Sequence, residues 1–202
     1  MKLFYLIFLM LSSYMATAQD SAGDAYIKEV QSSRKKKDLE FKRGEKSPVL
    51  PKDKRKFKGL QYFPVNPAYK VEATFVRDSS QAPFKMKTST GRLPDYVKYG
   101  ELHFTFSGNP HVLTVYQNLE LIQKPEYKDY LFIPFMDETN GFDTYGGGRY
   151  LDFRIPGGSA VIIDFNQAYN PYCAYSPDYS CPIPPVENHL NVKIEAGEKS
   201  YK

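Results

Sequence analysis

Tryptophan is missing from the 202-residue chain, cysteine occurs twice and histidine three times. Each scarcity removes a reading. Without tryptophan, a common aromatic platform for a sugar ring is gone. Two cysteines allow one disulfide and no more. Cys173, Cys181 and His189 with a nearby Asp match no zinc spacing, so no metal and no cofactor is expected. His103 and His111 fall in or beside a hairpin pattern and read as exposed or core residues, not catalytic ones. Long apolar runs are scarce as well. Leu3–Leu11 is too short to span a bilayer comfortably and no second run follows, so no transmembrane segment is expected. There is no internal repeat and no low-complexity tract.

The apolar run sits between Lys2 and the small-x-small sequence Ala16-Thr17-Ala18. Residues 1–18 therefore read as a signal peptide, with the mature chain starting at Gln19 and exported to the periplasm or beyond. An uncleaved N-terminal anchor is the competing reading. In an oxidising compartment Cys173 and Cys181 are candidates for a disulfide, worth about 2–3 kcal/mol for so short a loop.

What the chain has in quantity is tyrosine and phenylalanine, 17 and 14, which favour strands over helix bundles. Tyr69, Val71, Ala73 and Phe75 alternate with polar residues, as do Leu102, Phe104 and Phe106. Val112–Tyr116 follows the turn residues Gly108-Asn109-Pro110, so these last two segments pair as a hairpin. Leu131–Met136, Arg149–Phe153, Val161–Asp164 and Val192–Ile194 bring the named segments to seven, out of about eight or nine candidate strands expected from Phe57 onward. The expected fold is mainly β, leaning to α+β: an antiparallel sandwich or partly closed barrel with one N-terminal helix. The expected divisions are the leader at 1–18, a basic helix and linker at 19–58, and a β-rich domain at 59–202.

The helix is expected over 22–44, with Tyr26, Ile27 and Val30 as one apolar patch and Leu39 and Phe41 as another. Charge concentrates around it: Lys28–Lys58 holds 13 Lys or Arg against 5 Asp or Glu, a net of +8. Arg34-Lys35-Lys36-Lys37 then faces either water or an anionic surface. Export and the lack of interleaved aromatics argue against nucleic acid. At the other end, Asn166–Asn191 contains Pro171, Pro177, Pro182, Pro184 and Pro185, which exclude a helix or a central strand. Its four tyrosines and two cysteines argue for an ordered excursion folded over the sheet.

Candidate chemistry gathers between Asp137 and His189. Asp137-Glu138-Thr139-Asn140-Gly141 reads either as a self-capped turn or as a strand end whose Asp137 faces a ligand. Gly146-Gly147-Gly148, after Tyr145 and before Arg149, allows close backbone approach, and Arg149 offers a fork to a carboxylate or phosphate. Spacing and the following strand exclude a nucleotide-binding fingerprint. Arg149 can equally pair with an Asp inside the fold. Asp164 and Asn166 flank Phe165 and, in a strand, share one face; Tyr169 and Asn170 follow. Arg149, Asp152, Asp164, Asn166 and Tyr169 are thus expected to line one polar pocket. The leading reading is a binding module for a small polar or anionic ligand. The alternatives are a hydrolase using carboxylates drawn from Asp137, Asp152, Asp164 and Glu187, and a purely structural or interaction protein.

Four ordered runs resemble a known family. They are Phe57–Pro64, Thr144–Asp152, Asp164–Tyr175 and Cys181–Asn188, with Glu195–Lys199 closing the set. The chain is identified on these residues as similar to the family called domain of unknown function 1684, over roughly residues 25–200. The resemblance covers nearly the whole mature chain and implies no particular activity.

Overall fold

The protein is described from a computed structural model, which covers the backbone of residues 2–201 and the side chains of residues 23–201. The leader expected over 1–18, and its cleavage, lie outside the residues whose side chains are described. Helix α1 (Lys2–Arg43) and the single turn α2 (Pro51–Lys54) precede seven strands. These are β1 (Lys70–Arg77), β2 (Phe84–Lys85), β3 (Asp95–Phe106), β4 (Asn109–Asn118), β5 (Tyr130–Phe135), β6 (Arg149–Arg154) and β7 (Ala160–Asp164).

All seven belong to one antiparallel sheet, ordered β6-β5-β4-β3-β1-β7, with the short β2 paired to β3. The edge strands β6 and β7 are joined by residues 155–159 alone. Six Cα steps reach at most about 20 Å. Six strands laid flat would separate those edges by about 24 Å. The sheet therefore has to curl, and it is a half-barrel, the second of the two expected architectures.

Local chemistry explains the corners. The β3–β4 hairpin turns on Ser107 and Gly108, both at positive φ (51° and 76°), the two-residue form that matches strand twist. Asn109 and Pro110, expected in the turn, already belong to β4, where Pro110 pairs with Thr105. β4 and β5 pair only at Tyr116 and Phe132. Pro134, which has no N–H to give a ladder, sits beyond that point. There the buried Asn188 side chain bridges the two strands. Its Oδ1 accepts from Thr114 N at 2.7 Å, and its Nδ2 donates to the Thr114 and Pro134 carbonyls at 2.9 and 2.7 Å.

Side-chain alternation then builds two cores on two faces. Leu113, Val115, Leu131, Ile133, Phe135 and Leu151 point into the concave core. That core is closed by Phe165 and by Leu190, Ile194 and Ala196 of the tail. The segment Val192–Ile194, expected as a strand, is instead a cover: Ile194 N donates to Asp137 Oδ1 at 3.2 Å and Val192 O accepts from Glu138 N at 3.2 Å. On the opposite face Tyr116, Phe132 and Tyr150 pack with Met86, Tyr96 and Cys181, under Tyr169, Cys173 and Tyr179 of the Pro-rich excursion. β5 is consequently buried on both sides.

Helix α1 lies along the body on a stripe formed by Tyr26, Val30, Arg34, Lys37 and Phe41, spaced by three or four residues. Phe41 packs with Val49, Phe57, Leu60 and Tyr175 in a third cluster. Two cations of the basic run turn inward. Arg34 donates to the carbonyls of Phe63 and Asn166 at 2.7 and 3.1 Å and stacks over Tyr62 at 4.5 Å. Lys37 pairs with the buried Glu198 at 2.5 Å. Lys35 and Lys36 face solvent, and so does Leu39, which was expected to share Phe41's patch. Among the described residues no helix is long and apolar enough to cross a membrane.

Candidate functional site

The candidate site residues separate into five places. Arg149 begins β6 on the concave side and is fully buried. Its Nη2 donates to Asp137 Oδ2 at 2.7 Å and to Ile194 O at 2.8 Å, and its Nη1 donates to Ala196 O. Asp137 Oδ1 meanwhile accepts from Thr139 N and Oγ1 at 2.9 and 2.6 Å. The guanidinium and carboxylate thus lock the 137–144 loop and the tail onto the core, and neither side chain is exposed to solvent. Gly148 belongs to the same lock. It holds φ +86°, and a Cβ there would stand 2.6 Å from Pro184 Cγ and 2.7 Å from Phe135 O.

Asp164 and Asn166 form a second place, where α1 meets the body. β7 ends at Asp164 and residues 165–167 make a 3-10 turn, so the strand rule that would put both side chains on one face stops applying. Asp164 caps that turn through Asn166 N at 3.0 Å and accepts the Tyr26 hydroxyl at 2.8 Å. Asn166 exchanges hydrogen bonds with the backbone of Asn66 at 2.9 and 3.0 Å. Asn170 stands in a third place. It binds Glu198 Oε2 through its N–H at 2.8 Å and the Lys199 carbonyl through Nδ2 at 2.8 Å.

Asp152 and Tyr169 remain, and they do meet. Asp152 is on the opposite face of β6 from Arg149, exposed, in a cleft of about 450 Å³ between β5–β6 and the excursion. The hydroxyls of Tyr130 and Tyr169 both donate to its Oδ1, at 2.7 and 2.6 Å. Burial raises both phenols above the usual tyrosine range, and the Asp152 charge adds to it, so both stay donors. Around them the rings stand edge to face. Phe132 and Tyr150 are 4.7 Å apart at 76°, and Tyr150 and Tyr169 are 5.8 Å apart at 89°. Tyr172 and Tyr179 form the outer wall at 5.1 Å and 74°. Lys37 lies on the rim, its ammonium 4.7 Å from the Tyr169 ring centre. Asp152 is the one carboxylate among the lining residues.

Tyr145, the last of the expected residues, points elsewhere. Its hydroxyl lies 3.7 Å from Cys173 Sγ. Cys173 and Cys181 stand as two thiols in contact, with Cys173 N donating to Cys181 Sγ at 3.2 Å. Among the described residues no group of three or more His, Cys, Asp or Glu side chains is arranged to hold a metal ion. Reasoning from sequence missed the strongest part of the site, the ring of Tyr96, Tyr130, Tyr150, Tyr172 and Tyr179. A signal was present: in β5 and β6, Tyr130, Phe132, Tyr150 and Asp152 all carry even numbers and pair across the ladder, Phe132 opposite Asp152.

No curated protein matches this chain. The solution NMR structure of an uncharacterized protein from Haloarcula marismortui is similar, with 33% identity and a TM-score of 0.67. That similarity covers 89% of this chain and 97% of the other. A family model described as "Protein of unknown function (DUF1684)" matches residues 55–199, which include every strand, the tyrosine cleft and both cysteines. On this match, the chain belongs to that family.

Proposed function

We propose that the protein is an exported binding module for a small polar ligand held in the tyrosine-lined cleft, with Asp152 as its polar anchor. The observation that carries the reading is the convergence of the Tyr130 and Tyr169 hydroxyls on Oδ1 of an exposed carboxylate, within a wall of aromatic rings. Two fixed donors leave the carboxylate oriented, and aromatic faces favour a ligand with a flat or cationic portion. The anionic ligand expected from Arg149 has no anchor there, since that guanidinium is matched by Asp137. Paired-carboxylate hydrolysis needs a second acid on the same cleft, and the lining supplies Asp152 alone.

Export rests on the Lys2, Leu3–Leu11 and Ala16-Thr17-Ala18 pattern. It places Cys173 and Cys181 in a compartment where a disulfide between them forms. N-terminal sequencing of the protein recovered outside the cytoplasm checks it: Gln19 as the first residue agrees, and Met1 contradicts. Lys35 and Lys36 remain in solvent, which leaves room for contact with an anionic surface.

The binding reading is tested by a thermal-shift screen of small polar and cationic metabolites on wild type and Asp152→Asn. A compound that stabilises the first and not the second supports the cleft. Equal shifts in both, or none in wild type, count against it.

A further inference from the structure

We propose that Cys173 and Cys181 form a reversible thiol–disulfide couple, in which Cys173 attacks a small-molecule disulfide and Cys181 resolves the mixed disulfide.

Three features of the geometry carry this. The first is contact: Cys173 N donates to Cys181 Sγ at 3.2 Å, so the loop between them is already closed while both sulfurs are thiols. The second is asymmetry of access. Cys173 is half-buried whereas Cys181 is 8% exposed, set in the lining of the tyrosine cleft within the cluster of Met86, Tyr116 and Tyr150, so a reagent in bulk solvent finds more of Cys173. The third is the framing of each sulfur. Cys181 is fixed to the 87–89 segment on both sides: its N–H donates to Ser89 Oγ at 3.1 Å and its carbonyl accepts from Ser89 N at 2.8 Å. Cys173 sits on the one-turn segment Tyr172–Ala174, with the Tyr145 hydroxyl 3.7 Å from its sulfur. A buried structural thiol needs no such donors. A sulfur that must carry negative charge does. In agreement, the Cys173 thiol is pushed down to about 6, first by the hydrogen bond from Cys181 and then, against burial, by the hydroxyls of Tyr145 and Ser89. The Cys181 thiol is pushed up by the same contact, so the proton stays on the resolving sulfur until it is needed.

The chemistry balances in two exchanges. The Cys173 thiolate attacks one sulfur of a disulfide RSSR; the S–S bond breaks and RS⁻ leaves, taking up the proton that Cys173 gave to solvent. Cys181 then loses its proton, its sulfur attacks that of Cys173, and the second RS⁻ leaves and is protonated. Two electrons pass from the protein to RSSR, yielding two RSH and the Cys173–Cys181 bond. Excess small thiol runs the sequence backwards.

The test uses the reduced, folded, leader-free chain and one equivalent of 5,5′-dithiobis(2-nitrobenzoate). Wild type is expected to release two equivalents of thionitrobenzoate and to end unlabelled, lighter by two hydrogens in intact mass. Cys181→Ser is expected to stop at one equivalent with one adduct retained. Cys173→Ser is expected to react more slowly by about tenfold or more, reflecting burial of the remaining thiol. Dithiothreitol is expected to reopen the wild-type bond without unfolding, read by circular dichroism. A retained adduct on wild type, equal rates in the two variants, or a bond that opens only in denaturant each overturn the proposal.

Discussion

Arg149 and Asp152 lie three residues apart on β6 and face opposite sides of the sheet. An odd separation in a strand does this unavoidably. Arg149 is sealed in the concave core against Asp137 at 2.7 Å, and Asp152 opens onto the tyrosine cleft. The two sides of one strand thus divide the work between holding the fold and meeting solvent.

The buried pair makes a stability prediction. Arg149→Met leaves the Asp137 carboxylate uncompensated and is expected to cost about 3–5 kcal/mol in urea unfolding. Asp137→Asn is expected to be costly for the converse reason. Because the residues share one lock, the double variant is expected to lose less than the sum of the singles. Additive losses would show that the two act independently.

Asn188 gives a second. Its amide substitutes for the ladder that β4 and β5 lack beyond Tyr116 and Phe132. Asn188→Ala strands the Thr114 N–H and two carbonyls and is expected to cost about 2–4 kcal/mol. Asn188→Asp, similar in shape, keeps the acceptor and loses both donor bonds, so it is expected to be no better. Near-wild-type stability for Asn188→Asp would rule out the bridging role.

Much of this was legible in the sequence, and the limits were physical. The hairpin, the mainly β fold and the inability of Asn166–Asn191 to form helix or central strand all follow from local rules. The parity of 149 and 152 was equally readable and argues against a shared pocket. Other contacts were not readable. Glu198 is buried beneath Lys37, Tyr175 and Asn170, partners that lie 161, 23 and 28 residues away. No periodicity encodes such long-range pairing. Nor does it encode the end of β7 at Asp164, which turned an expected shared face into a helix cap.

The docking of α1 is the third prediction. Glu198 accepts from Asn170 N and Tyr175 Oη at 2.8 and 2.7 Å, and Lys37 supplies its charge partner at 2.5 Å. Lys37→Met is expected to cost about 1–3 kcal/mol and to lower hydrogen-exchange protection in residues 26–43 more than in the strands. Uniform loss across the chain would contradict a local docking role.

Alkylation supplies a pH prediction. With its thiol held to about 6 by Cys181, and then by Tyr145 and Ser89, Cys173 is expected to react with iodoacetamide at a rate that rises through that pH. The ordinary thiol rise comes at about 8.5. Tyr145→Phe removes one donor to the thiolate and is expected to move the inflection upward. An inflection in the ordinary thiol range for wild type would remove the role assigned to these donors.

The central claim concerns the cleft, and the affinity of a ligand for variants of Asp152 and Tyr169 reaches it most directly. The measurement is isothermal calorimetry of the best compound from the thermal-shift screen against wild type, Asp152→Asn and Tyr169→Phe. The account predicts binding to wild type, loss of about tenfold or more in affinity for each variant, and unchanged circular dichroism throughout. Undiminished affinity in Asp152→Asn would contradict it.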